Sequence, residues 1–270
     1  MTSKKRILCL LVLAVLLVCA FTIGTFAQDN ATVAEEDNDG LSFTGNEGLH
    51  VSKPLTEMPR TYEAVVYLGE DAPEKEGTIF GNYLDLSNPH MNFTLNSNGA
   101  PKIYVHDTYV KAERQTAITM SETVKGKGWT HIAITHEKND GGDIFKCYIN
   151  GVLSDTKTAS YTYDFDADAM EKIQFVSSFY VGQDYRPASN EYYFKGNIKD
   201  VAIYSDVLTA EQIADSYKNG VNTAEDSLML YYELTDASAT GTTEDKSGNG
   251  HTLKPVYHGR DTELDMSKYA

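Results

Sequence analysis

GWTHIAITHEKNDGGDIFKCYINGVLSD, residues 128 to 155, holds the pattern that decides the fold. Ile132 and Ile134 follow Trp129 in an alternating run, the Asn139 to Gly142 turn intervenes, and Phe145, Cys147 and Ile149 repeat the alternation. In an extended chain successive side chains point to opposite faces, so this spacing gives each strand one apolar side. Asn150 and Gly151 then separate Ile149 from Val152. An Asn-Gly pair between alternating strands is a strong hairpin signal, because the tight turn needs positive φ at both central residues. Cys147 falls on the apolar side, which marks it as a small buried hydrophobe rather than a nucleophile.

The period-two signal continues in both directions. Tyr62, Ala64, Val66 and Leu68 alternate with Thr61, Glu63, Val65 and Tyr67. Met91, Phe93 and Leu95 form a one-sided run, and Asn98 with Gly99 separates it from Pro101, Ile103 and Val105. Further short strands fall at Ile173 to Val176, Phe179 to Gly182 and Ile198 to Tyr204. About ten short strands at roughly ten-residue spacing predict an all-β chain, a two-sheet antiparallel sandwich of the jelly-roll kind. One helix interrupts them near 209 to 219: Thr209 caps it, Gln212 completes a capping box, Leu208 staples onto Ile213, and Gly220 ends it.

The composition narrows the class. The 270 residues include 23 Lys or Arg and 39 Asp or Glu, a net charge of −16, which argues against a phosphate-backbone partner and hence against nucleic acid. With 41% hydrophobic and 11% aromatic residues the chain is too apolar for intrinsic disorder. Lys4, Lys5 and Arg6 precede an apolar run from Ile7 to Phe21, and Thr25 and Ala27 supply small residues before Gln28. That order is a secretory signal peptide over residues 1 to 27, with a retained membrane anchor as the rival reading. Cleavage leaves no transmembrane segment and 20 basic against 39 acidic residues, a net of −19, with Cys147 as the one remaining cysteine. Residues 28 to 40, with five acids and no apolar period, read as a solvated linker. The sandwich then spans 41 to 256, and 257 to 270 form a tail or a linker to a further domain.

Six stretches in consistent order carry a resemblance. LSFTGNEGLHV (41 to 51), RTYEAVVYL (60 to 68), GWTHIAITHE (128 to 137), CYINGVLSD (147 to 155), YFKGNIKDVAIYSDVLTAEQI (193 to 213) and DKSGNGH (245 to 251) together resemble the laminin G-like jelly-roll modules of the concanavalin A-like lectin and glucanase superfamily. The order departs from the family's, since Leu228, Leu230, Tyr232, Leu234 and DKSGNGH follow the helix instead of opening the module. Either that segment returns to close the same sandwich, or it begins a second module. The arrangement also resembles, more loosely, jelly-roll modules that precede calcineurin-like metallophosphoesterase domains in secreted bacterial proteins, which implies a downstream catalytic domain.

Catalytic motifs are missing from the sequence. The paired carboxylates of retaining glucanases lie on one core strand about 5 Å apart. Their nearest counterparts, Glu35 with Asp37 and Glu263 with Asp265, fall in the linker and the tail. His131 and His136, five residues apart, point to opposite faces of a strand and cannot share a metal. Hard oxygen ligands favour one structural calcium ion, with Asp245 and Asn249 in the Gly-rich turn and Asp200 as a third ligand; the plainer reading is that Asp245 and Asn249 stabilise their own turn. Two strand ends share a form suited to a sugar: Asn82 with Tyr83 after Gly81, and Asp184, Tyr185 and Arg186 after Gly182. In each, a Gly admits a ligand to the backbone while polar groups and a Tyr supply hydrogen bonds and stacking. The expected function is a secreted, non-catalytic carbohydrate-binding module, accessory to a downstream hydrolase, with glycan as the partner. The alternatives are a protein-interaction or architectural module of a cell-surface protein, and a fragment of a secreted hydrolase.

Overall fold

Among the described residues of the computed structural model, two antiparallel sheets of seven strands each face one another across an apolar core. The structure describes residues 40–45, 47–51, 55, 57–72, 74–82, 90–106, 116–163, 180–182 and 192–257. These belong to one compact unit, Asn38–Ala270. The first sheet contains β1 (Leu41–Thr44), β3 (Thr61–Tyr67), β8 (Trp129–Glu137), β9 (Ile144–Ile149), β10 (Val152–Thr158), β12 (Lys195–Tyr204) and β13 (Leu228–Glu233). Its order is β1-β12-β3-β8-β9-β10. β13 lies end to end with β1 along one edge of β12: β1 pairs with residues 195 to 198 and β13 with residues 200 to 204.

The second sheet runs β14 (Leu253–Tyr257), β2 (Glu47–Val51), β11 (Tyr180–Val181), β4 (Gly77–Gly81), β5 (His90–Leu95), β6 (Pro101–His106) and β7 (Thr116–Thr119). The alternation read from the sequence points Ile132, Ile134, Phe145, Cys147 and Ile149 inward from the first sheet and Met91, Phe93, Leu95, Ile103 and Val105 inward from the second. Tyr62, Phe80, Phe93, Phe145, Phe194 and Tyr232 fill the space between them, all nearly or wholly buried. Burial pushes the Cys147 thiol up to about 12, so it stays protonated and inert. The strand expected at 173 to 176 lies outside the described residues.

The two Asn-Gly pairs differ. At Asn150–Gly151 both residues have positive φ, 50° and 77°, and the turn is the tight hairpin read from the sequence. Around Gly99 only the glycine has positive φ. There the Asn96 side chain accepts from the N–H groups of Asn98 and Ala100 and shapes a longer loop.

The helix α1 (Ala210–Asn219) lies on the outer side of the first sheet, where Ile213 packs with Ala133, Tyr148, Ala202, Tyr204 and Leu228. Its capping box is complete: Thr209 Oγ1 accepts from Gln212 N, and Gln212 Oε1 accepts from Thr209 N. Gly220 ends it with φ 84°. No helix among the described residues is long and apolar enough to cross a membrane.

Candidate functional site

The strands of the second sheet that turn Met91, Phe93 and Leu95 inward must turn His90, Asn92 and Thr94 outward, and β6 does the same with Lys102, Tyr104 and His106. The ladder pairs Thr94 with Lys102, Asn92 with Tyr104, and His90 with His106, whose rings stand 5.1 Å apart. Six hydrogen-bonding side chains thus form two columns on one face. Glu76, just before β4, joins them: Oε1 accepts from Thr94 Oγ1 at 3.0 Å, and Oε2 accepts from Lys102 Nζ at 2.8 Å and from Tyr104 Oη at 3.3 Å.

Lys102 Nζ also donates to Tyr104 Oη and lies 4.2 Å from the centre of that ring. Burial pulls the Lys102 ammonium down, but Glu76 and Tyr104 outweigh it and hold it above its ordinary value. For Tyr104 burial dominates and raises the phenol. Lys102 is therefore charged and Tyr104 neutral at any physiological pH. His90, Asn92 and Thr94 are deeply buried, whereas Tyr104, Lys102 and Glu76 are partly exposed, the last two side chains at 15% and 16%, beside the exposed Ala117 and Thr119 of β7. A partly exposed aromatic ring can stack on an apolar ring face while the adjoining cation and carboxylate exchange hydrogen bonds with hydroxyls. In the sequence the glycine-closed strand ends stand out and this face does not. The signal was nonetheless there, in the polar half of the alternation that placed the core.

The strand ends themselves are put to another use. β4 and β11 are adjacent and antiparallel, Gly81 facing Tyr180 and Phe80 facing Val181, so Asn82 and Gly182 lie at opposite ends of the pair. A Cβ on Gly81 would fall 2.1 Å from Asn92 Oδ1, and one on Gly182 2.1 Å from the Phe43 ring. The close approach that each glycine permits is taken by the protein's own side chain. Asn82 is buried and holds β4 to β5, its Oδ1 accepting from Met91 N at 2.7 Å and its N–H donating to Asn92 Oδ1 at 3.0 Å. Tyr83, Asp184, Tyr185 and Arg186 lie outside the described residues.

Asp245 and Asn249 do meet in one turn. Asp245 accepts four hydrogen bonds, from the N–H groups of Tyr231, Ser247 and His251 and from Ser247 Oγ. Asn249 Nδ2 donates to the carbonyls of Leu228 and Met229. Both side chains therefore fasten the turn to β13. Asp200 stands apart: it accepts from the Tyr231 hydroxyl, whereas Asp245 accepts from the Tyr231 backbone, so the length of a tyrosine side chain separates them. Burial and the neighbouring Glu233 charge push the Asp200 carboxyl up to about 6. Among the described residues no group of three or more His, Cys, Asp or Glu is arranged to hold a metal ion.

His131 and His136 face opposite ways on β8. His136 is in the interior, where its Nε2 meets Asp143 Oδ2 at 2.5 Å and its ring stacks on Phe145 at 4.3 Å. His131 is on the outer face beneath α1, near Glu63 and the Tyr217 ring.

The sequence profile of the laminin G-like group within the concanavalin A-like lectin/glucanases superfamily matches residues 39–214. The chain belongs to that family. The match ends inside α1, so β13 and β14 follow it. Among solved structures, the laminin G-like fold here is similar to a candidate carbohydrate-binding protein from Bacteroides ovatus, with a TM-score of 0.55 at 20% identity over 80% of this chain. The chain covers 60% of that protein, less than two thirds of its length. It is also similar to the CBM40 of the Ruminococcus gnavus IT-sialidase, with a TM-score of 0.51 at 16% identity over 66% of this chain and 96% of that one. The bacteriophage CBA120 tailspike protein 2 enzymatically active domain gives 0.50 at 16% identity, over 74% of this chain and 30% of that one. No curated protein matches the sequence.

Proposed function

We propose that the chain is a secreted, non-catalytic carbohydrate-binding module that takes a neutral glycan on the outer face of the second sheet. The observation that carries this reading is the partly exposed Tyr104 held by Lys102 and Glu76 beside the small side chains of β7. Such a constellation is preorganised, because every polar group already has a fixed partner that a sugar hydroxyl joins or replaces. A solved structure of the same fold named as a carbohydrate-binding protein, and another solved with the acidic sugar sialyllactose, lend support to carbohydrate binding as such, while the choice of a neutral glycan rests on the acidic charge of the chain. The signal-like residues 1 to 27 support export, and a place beside a hydrolase is the accessory role that fits such a module.

Glycan-array binding of the full chain, with and without calcium, tests the reading. Binding is expected, with a loss of roughly two- to tenfold in Tyr104→Ala, taking the roughly 0.5–1.5 kcal/mol that a stacked aromatic pair carries beyond its area as the scale of a sugar–aromatic contact. An array without binding in either condition would count against it. A protein-interaction role has its own observation: Val152 and Leu153 on the edge strand β10 are 69% and 51% exposed. An unaltered glycan affinity in Tyr104→Ala, together with concentration-dependent association abolished by Leu153→Lys, would favour that second reading.

A further inference from the structure

The outer face of the first sheet, beneath the C-terminal half of α1, holds a cavity of about 40 Å³ lined by Glu63, His131, Asp200, Ala202, Ser216 and Tyr231. Strand register builds it. His131 and Asp200 pair with Val65 from its two sides, and Glu63 lies one step along the same face between Ala133 and Ala202. Short side chains therefore form the floor and ionisable ones the walls.

Glu63 is 2% exposed and His131 5%. Glu63 Oε2 is satisfied, accepting from Tyr204 Oη at 3.0 Å and from Ser216 Oγ of α1 at 2.7 Å. Among the described residues Glu63 Oε1 has no hydrogen-bond partner, and neither has either ring nitrogen of His131. Folded proteins seldom leave buried polar atoms in that condition. Glu63 Oε1 and His131 Nε2 face each other at 3.7 Å, beyond hydrogen-bond reach.

What surrounds the gap is acceptor in character. The carboxylate of Asp200 lines the same space, and α1 brings its carbonyl end, the negative end of the helix, over it at Ser216 and Gly220. An imidazole nitrogen beside a carboxylate oxygen suits a borderline divalent ion of the zinc class better than calcium. Two ligands of a tetrahedral zinc ion, each at its ordinary bond length, stand roughly 3.4 Å apart. The observed 3.7 Å is a small rotamer adjustment from that spacing.

We propose that Glu63 Oε1 and His131 Nε2 form a binding site for a divalent transition-metal ion of the zinc class, with Asp200 reached through water. Two protein ligands do not make a closed structural site, so waters complete the coordination. The cavity has room for the ion and a water or two. Because Glu63 also holds Ser216, the bound ion fastens α1 to β3 and β8. This site is separate from the Asp245–Asn249 turn and independent of the glycan face.

The test is calorimetric titration of the chelator-stripped full chain with zinc, and in parallel with calcium, in the absence of glycan. One zinc per chain is expected, with affinity at least tenfold lower in both Glu63→Gln and His131→Gln and unchanged in His251→Gln. His131→Gln breaks no side-chain hydrogen bond among the described residues, and a metal-free melt of each variant reports whether its fold survives. Zinc should raise the melting temperature of the native chain but not that of His131→Gln. Absence of zinc binding, native affinity in both variants, or equal affinity for calcium would each overturn the proposal.

Discussion

His136 is buried against Phe145 and Tyr163, and its chemistry is that of the core. Burial pulls its imidazole below the ordinary 6.5, with Arg60 adding to the effect and Asp143 opposing it. Burial raises the Asp143 carboxyl, but hydrogen bonds from His136 and from the N–H groups of Tyr163 and Asn139 outweigh it and hold the carboxyl below 3.8. Both groups bind fewer protons folded than unfolded. Each therefore contributes stability that is fully present above its unfolded pKa and is lost as pH falls through its folded value. Asp200, raised to about 6, works in the opposite sense. Thermal melts of native chain and His136→Gln between pH 8 and 4 separate the two, because the Asp200 contribution cancels in the difference. The advantage of the native chain should shrink as pH drops below about 6.5; an advantage that grows on acidification would contradict the assignment.

At the scale of elements, α1 shows what local sequence can specify. The Thr209–Gln212 reciprocal pair, the Leu208 and Ile213 contact with the sheet and the terminal Gly220 are all local signals, and the helix forms where they place it. Thr209→Ala removes the acceptor for the Gln212 N–H and should cost about 1 kcal/mol. The expected readout is faster amide exchange confined to residues 210–219, with the strands of both sheets unchanged. A variant that exchanges uniformly faster throughout the sandwich would mean that α1 belongs to the global unfolding unit. The glycine-closed strand ends teach the reverse. Gly81 and Gly182 were legible as points of close approach, but Asn92 comes from the neighbouring strand and Phe43 from the other sheet, and only their positions reveal what approaches. The outward columns of β5 and β6 became a candidate site because Glu76, 18 and 26 residues from Thr94 and Lys102, reaches both.

At the scale of the whole molecule, the strands after α1 complete both sheets. β13 extends the β12 edge of the first, and β14 pairs with β2 at the edge of the second. Leu230, Tyr232, Leu234 and Leu253 are wholly buried in the shared core. A chain ending at residue 222 would expose that core and leave β12 and β2 with open edges, so it should aggregate or lose its cooperative melt. In the full chain the amides of 228–233 should be as protected as those of β12; lability like that of a solvated loop would mean the closing strand is not integral.

The sequence by itself determined the class of this protein. Alternation fixes which side chains each strand can bury, an Asn-Gly pair or a capping box fixes where the chain can turn or coil, and the surplus of acids argues against a phosphate-backbone partner. These are local or additive properties, and they need no knowledge of neighbours. Only the tertiary structure decided which ionisable groups meet. Glu63, His131 and Asp200 come from three strands widely spaced in the chain, and Glu76, Lys102 and Tyr104 meet across a sheet face. Strand order and register set those meetings, and both arise from packing two sheets around one core, a long-range condition that no short stretch of sequence contains.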